Sequence, residues 1–143
     1  MRPSPLHLLH RAEQLADQLF QANAIGFITP RQLAVLIAVS ESEGSNLNCV
    51  IERTGIDRST TSELVGRMAR RGLLHKRRSR QDTRAVVLTL TDAGRQLLSA
   101  AEPVSPNIDA ALLEVLPPAR REAFLKALRA IVAKLDGHQG SAA

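Results

Sequence analysis

The chain has 143 residues, 44% of them hydrophobic, and a formal net charge of +5; that is enough apolar material to bury a core and too much for a disordered segment. Its aromatics are three phenylalanines, Phe20, Phe27 and Phe124, with no Tyr or Trp, so the core is expected to be aliphatic. Stacking platforms of the kind that bind single-stranded nucleic acid are missing, and a single cysteine, Cys49, excludes an intrachain disulfide and a multi-cysteine zinc site.

Residues 5 to 24 read as a first helix. Ser4 can cap it, Pro5 suits its first position, and Leu8, Ala12, Leu15 and Leu19 recur at i, i+4, i+7 and i+11, giving one narrow apolar stripe. His7 and His10 share a face but lack an obvious third ligand, so no metal site is expected. Charged and polar residues recur every few positions at this end, which fits neither the apolar core of a signal peptide nor a membrane span of ~20 apolar residues. The expectation is a cytoplasmic protein with no membrane partner.

A second helix is signalled by Thr29 and Pro30, continues through Leu33, Leu36 and Ile37, and ends near "ESEGSN". "NCVIERTG" reads as a short third helix, capped by Asn46 or Asn48 and stopped at Gly55. From Asp57, "RSTTSELVGRMARRG" places Thr61, Leu64, Val65 and Met68 on one buried face and ends at Gly72. Two short helices joined by a tight turn form a helix-turn-helix. The opposite face carries Arg58, Ser59, Thr60, Ser62 and Glu63 in its first two turns, with Arg67 and Arg70 beyond. Singly, such hydroxyls often serve only the nearby backbone. As a set they point to base edges in a major groove, read by the N-terminal part of a recognition helix.

After Gly72 the period changes to two. "LLHKRRS" and "AVVLTLT" are strand candidates around the polar turn "RQDT". The end of the preceding helix and this hairpin are together strongly basic: residues 67 to 84 hold eight Lys or Arg against one acid, while the rest of the chain holds eleven against thirteen. Such concentration suggests a polyanion footprint. Arg77, Arg78 and Arg80 are candidates for phosphate neutralisation along the wing, with Arg84 near its tip. Asp82 is the single acid in the run, and an aspartate also favours turns on its own account.

A helix capped by Thr91 follows through "DAGRQLLSAAE"; Pro103 and Pro106 should kink or break it. A last helix after Pro117 and Pro118 repeats the spacing of the first with Phe124, Leu128, Ile131 and Leu135, and residues 137 to 143 are expected to fray. The terminal stripes (Leu8, Leu15 and Leu19; Phe124, Leu128, Ile131 and Leu135) exceed what a winged lobe needs. Either they cap a monomer, or they pack in a two-fold dimer that sets two recognition helices about one DNA turn apart. The expected fold is mainly α with a small β-hairpin wing, one domain over residues 1 to 143. It would divide into a winged helix-turn-helix lobe at 29 to 91 and a helical dimerisation lobe from 5 to 28 and 92 to 136.

Taken together, "RTGIDRSTTSELVGRMARRGLL", the wing "RQDTRAVVLTLT" with Asp82 two residues before Arg84, and the Leu90, Thr91, x, x, Gly94 step resemble the MarR family (multiple antibiotic resistance regulators). The resemblance covers nearly the whole chain. It implies a homodimeric transcription factor, usually a repressor, that leaves its operator when a small anionic or phenolic ligand binds or a cysteine is oxidised. It also implies that Arg84 enters the minor groove and that Asp82 pairs with a basic residue to hold the wing. Two departures stand out. Pro103 and Pro106 interrupt what is usually a long continuous helix, and the scarcity of aromatics leaves the effector unnamed. Cys49 opens the short third helix, a place where a thiol can be reactive, but the peroxide-sensing relatives carry theirs near the first helix, which has none. A redox-responsive regulator using Cys49 therefore stays an alternative, as does an architectural or protein-docking winged helix. No phosphate loop or nucleophile elbow is present, so neither an enzyme nor a cofactor is expected.

Overall fold

Local caps decide where the helices begin. In the computed structural model, which describes residues 2, 4–23, 28–82 and 84–139, Ser4 accepts the His7 N–H at 3.1 Å and Pro5 opens α1 (Pro5–Ala22). Thr29 and Gln32 form a reciprocal capping box, with bonds of 3.2 and 3.1 Å, at the start of α2 (Pro30–Glu41). Asn46 caps α3 (Leu47–Thr54), Asp57 caps α4 (Arg58–Arg70) and Thr91 caps α5 (Asp92–Ala101), each through its side-chain oxygen. Of the two asparagines that could cap α3, Asn46 does so.

The hairpin forms as its alternation requires. β2 (Leu74–Arg78) pairs antiparallel with β3 (Val86–Leu90), Leu74 opposite Leu90 and Arg78 opposite Val86. A third strand is unanticipated: β1 (Ser45–Asn46) pairs with Leu88 and Val87, giving the order β1-β3-β2. Two residues are too short for a period-two pattern to register.

The core is aliphatic. Val35, Leu36 and Val39 of α2, Val50 of α3, Val65 and Met68 of α4 and Leu88 of β3 are each no more than 1% exposed. Burial of such side chains stabilises by about 1.5–3 kcal/mol each, so this cluster holds the helix-turn-helix to the sheet. Leu98 and Ala101 of α5 are buried in it and Phe20 of α1 packs against it. The core therefore extends beyond the 29 to 91 lobe into segments expected to serve only dimerisation. Residues 24 to 27, the end of the expected first dimerisation segment and the site of Phe27, lie outside the described residues.

The proline-rich stretch is broken, as expected, at Glu102–Val104. Pro106 then falls in the first turn of a further helix, α6 (Ser105–Glu114), where a missing N–H leaves no bond unmade. α6 was not anticipated: among the described residues only Ile108 is buried on it, so it carries no clear stripe. The chain divides into two compact units, residues 1–106 and 107–143. In the second, α7 (Pro118–Gln139) follows the end of α6, and Arg121 Nε donates to the Leu113 and Leu116 carbonyls at 3.0 and 3.1 Å, closing the turn between them. Helix runs to Gln139, into the 137 to 143 segment expected to fray; residues 140–143 lie outside the described residues. Among the described residues no helix is long and apolar enough to cross a membrane.

A clasp joins the end of α4 to both hairpin strands and α5. Gly72, at φ +76°, lets α4 end with its own N–H on the Ala69 carbonyl and the Leu73 N–H on Met68. The Thr91 hydroxyl donates to the Gly72 carbonyl at 2.5 Å, and the Thr91 N–H to the Leu73 carbonyl at 3.2 Å. Gly94 packs so closely that an added Cβ would stand 2.2 Å from the Leu73 oxygen. Gly94→Ala must push backbone apart and should destabilise the protein by about 2 kcal/mol or more; a denaturant midpoint equal to wild type would contradict this.

Candidate nucleic-acid interface

The exposed side of α4 follows from its buried side. Thr61, Val65 and Met68 point into the core, and 3.6 residues per turn then leaves Arg58, Ser59, Ser62, Glu63 and Arg67 exposed, with Thr60 half-buried. Several of these candidates are already tied. Asp57 Oδ2 accepts from the Thr60 N–H at 3.0 Å and from the Ser59 hydroxyl at 3.2 Å. Hydrogen bonding from Thr60, helped by Ser59, outweighs desolvation and holds the Asp57 carboxyl below its usual range. Glu63 and Arg67 form an i, i+4 ion pair at 2.6 Å, which neutralises the one acid on this face.

Arg58 is tied across the helix-turn-helix, its guanidinium donating to the Asn48 side-chain carbonyl on α3. Sequence reasoning treated Asn48 only as a possible cap. Its true contact lies ten residues away, and only the folded turn brings the two together.

One flank of α4 also forms a wall. Thr60, Glu63, Leu64 and Arg67 border an open cleft of about 620 Å³, with Glu13 and Asp17 of α1 and Arg31 of α2 on the far side. Glu13 and Arg31 form an exposed ion pair at 3.4 Å. Glu63 and Arg67, read as DNA contacts, are therefore shared between the outer surface and this cleft.

The wing presents Arg77 and Arg78 on β2 and Arg80 and Arg84 in the connection, all exposed. The connection is folded by its own polar groups. Ser79 N–H donates to the Ala85 carbonyl at 2.9 Å, and the Ser79 hydroxyl accepts from the Gln81 and Asp82 N–H groups at 3.2 and 3.4 Å. Asp82 does shape the tip, but not by pairing with an arginine. Its Oδ1 accepts the Arg84 backbone N–H at 3.0 Å, an Asx turn, and among the described residues its carboxylate joins no ion pair. Thr83 of the "RQDT" turn lies outside the described residues. At the wing base, Arg95 of α5 donates to the Leu90 carbonyl at 3.1 Å and pairs with Glu43 at 2.6 Å.

Cys49 is half-buried in the first turn of α3, where its N–H donates to Asn46 Oδ1. Of the stripe residues expected at a dimer contact, Leu8 and Leu15 on α1 and Phe124, Ile131 and Leu135 on α7 are exposed, while Leu19 and Leu128 are half-buried.

Residues 28–85 match the family model described as MarR family. The chain is 30% identical to the HTH-type transcriptional repressor NicR of Pseudomonas putida, over 88% of this chain and 80% of that protein. The chain belongs to the MarR family. It is a transcriptional regulator of that family, as its relatives are, and not an enzyme. Among solved structures it is similar to the PcaV regulator of Streptomyces coelicolor in complex with its natural ligand, at 32% identity and a TM-score of 0.83, covering 93% of this chain and 98% of that one. It is also similar to Bordetella bronchiseptica BpsR, whose DNA binding is regulated by 6-hydroxynicotinic acid. There the identity is 32% and the TM-score 0.81, with 90% of this chain and 93% of that one covered.

Two expectations test these contacts. Asn offers the same Oδ1 acceptor, so Asp82→Asn should keep DNA affinity near wild type while Asp82→Ala weakens it; an Asn variant as impaired as the Ala variant would restore a role for the charge. For Asp57, a folded-state pKa below the ordinary 3.8 means its contribution is complete above that value and lost as pH falls through the folded pKa. The stability gap between wild type and Asp57→Asn should therefore narrow only in acid, and a gap that narrows on the alkaline side would contradict the assignment.

Proposed function

We propose that this MarR-family regulator is a repressor that binds a palindromic duplex operator as a homodimer and is released by a small-molecule effector. The observation that carries the DNA reading is the joining of two exposed surfaces by one clasp: the face of α4 with Arg58, Ser59, Ser62 and Glu63, and the wing with Arg77, Arg78, Arg80 and Arg84. In this reading the first enters the major groove, and the wing cations neutralise phosphates while Arg84 probes the adjacent minor groove. Such a protein works where the chromosome is, in the cytoplasm.

Several facts support the finer points. NicR is a repressor by name and BpsR responds to 6-hydroxynicotinic acid. The exposed apolar residues of α1 and α7 supply surfaces that a second copy would cover, and a two-fold pairing matches a palindrome. The cleft beside α4 has the recognition helix as one wall, so an effector seated there would bear directly on the DNA-reading element.

The test is a binding titration at physiological salt on the duplex upstream of the protein's own gene and on random duplex. A preference on the order of 10³ is expected for an operator, and equal affinities would replace the regulator reading with a non-specific architectural one. Arg84→Ala should lose most affinity on sites whose flanks are A/T-rich, because a narrow minor groove attracts an inserted arginine. A loss indifferent to flank sequence would count against the probe role.

A further inference from the structure

Gly66 stands in the middle of α4, and nothing within the chain calls for a glycine there. The positive-φ glycines among the described residues are Gly44, Gly55 and Gly72, so Gly66 has a backbone any residue could adopt. A Cβ at this position would meet only Arg70 Nη1 at 3.5 Å, ordinary contact with the far end of a flexible side chain. At Gly94, by contrast, a backbone oxygen blocks the way. A glycine inside a helix is less stable than an alanine, because the unfolded chain has more freedom to lose. The recognition helix is thus weakened where the protein's own packing gains nothing.

The direction Gly66 faces supplies a reason. Thr61, Val65 and Met68 define the buried side of α4, and helical spacing places Ser59, Ser62, Glu63, Gly66 and Arg70 opposite them, at i, i+3, i+4, i+7 and i+11; the other four are exposed, and Gly66 is half-buried beside the Arg70 guanidinium. Within that strip Gly66 is the one position with no side chain. Its neighbours Ser59 and Ser62 carry the shortest hydroxyl side chains available, and a serine reaches a base edge only if the helix backbone itself lies close.

We propose that Gly66 is a positioning residue: the point where α4 comes nearest to duplex DNA, its missing side chain letting the helix seat deeply enough for Ser59 and Ser62 to reach base edges. The inference rests on the regulator reading above. An alanine methyl there would hold the helix off the groove floor and lengthen every short contact around it.

The experiment compares wild type, Gly66→Ala, Gly66→Ser and the control Gly137→Ala, an exposed helical glycine of α7 with nothing within 4 Å of its added Cβ. Thermal unfolding is measured alongside affinity for the upstream duplex and for random duplex. Gly66→Ala should unfold at a higher temperature than wild type and yet bind the upstream duplex about tenfold or more weakly, the scale of a lost base contact. Its affinity for random duplex should change far less, since phosphate contacts dominate there. Gly66→Ser should lose specific affinity as well, and Gly137→Ala should leave both affinities unchanged. A more stable Gly66→Ala with undiminished specific affinity overturns the proposal, as does a Gly66→Ala less stable than wild type, which would give the glycine a role in the fold. Loss of specific affinity in Gly137→Ala would show the effect is not local and also overturn it. A wild type with no preference for the upstream duplex removes the regulator reading and this inference together, whereas a preference that survives in both Gly66 variants removes this inference alone.

Discussion

The contact of Gly94 with the Leu73 carbonyl, reinforced by the Thr91 hydroxyl on Gly72, is the constraint on which the arrangement of α4 and the wing depends. α4 and the hairpin are separate in sequence pattern and each exposes most of its polar surface. Core packing ties α4 to β3 through Leu88 and Leu90 but leaves its angle to β2 soft, because the residues of β2 beyond Leu74 are exposed. The clasp removes that softness with directional bonds: α4 ends on Gly72, β2 starts two residues later, β3 ends at Leu90 and α5 starts at Asp92, all around one carbonyl pair. Arg95 adds a second tie from α5 to the end of β3 and to Glu43 at the turn before β1. A displacement of α5 would therefore be felt at both α4 and the wing.

The side chains of the candidate interface are organised by ties within the chain itself. Arg58 is held by Asn48, Ser59 by Asp57, and Arg67 by Glu63. Each tie restricts rotamers that would otherwise have to be frozen on binding. Exposed pairs of this kind contribute little to folding stability; their value is in geometry. Ser62 and Arg84 differ: among the described residues no hydrogen bond or ion pair ties either side chain, and only the Arg84 backbone is fixed, through Asp82.

Much of this was legible in the chain because its causes are local. Ser4, Thr29, Asp57 and Thr91 cap helices through neighbours three residues away, and the buried face of α4 follows from spacing alone. The clasp was visible only as a Leu-Thr-x-x-Gly step, because the atom that forbids a side chain at Gly94 belongs to Leu73. β1 escaped notice because its two residues acquire strand character from Leu88 and Val87 rather than from their own pattern. Asp82 shows a different limit: its position before Arg84 suits both an ion pair and an Asx turn, and the distinction lies in which atom of residue 84 it meets, backbone rather than guanidinium. Asn48 could not be assigned from sequence because its partner is set by the crossing of α3 over α4.

The register of the wing has a consequence for how it behaves in isolation. Lys76, Arg77 and Arg78 stand opposite Leu88, Val87 and Val86, so no carboxylate faces any of the three across the hairpin. Among the described residues none of them, nor Arg80 or Arg84, joins an ion pair. The free hairpin is thus electrostatically frustrated, a ribbon of like charges held flat by its apolar strand. Mobile ions relieve that repulsion, whereas they compete with the same side chains for a polyanion. Salt therefore tightens the unbound wing and loosens the bound one, and the element reaches its full order at low ionic strength only when the opposing charge comes from outside the protein.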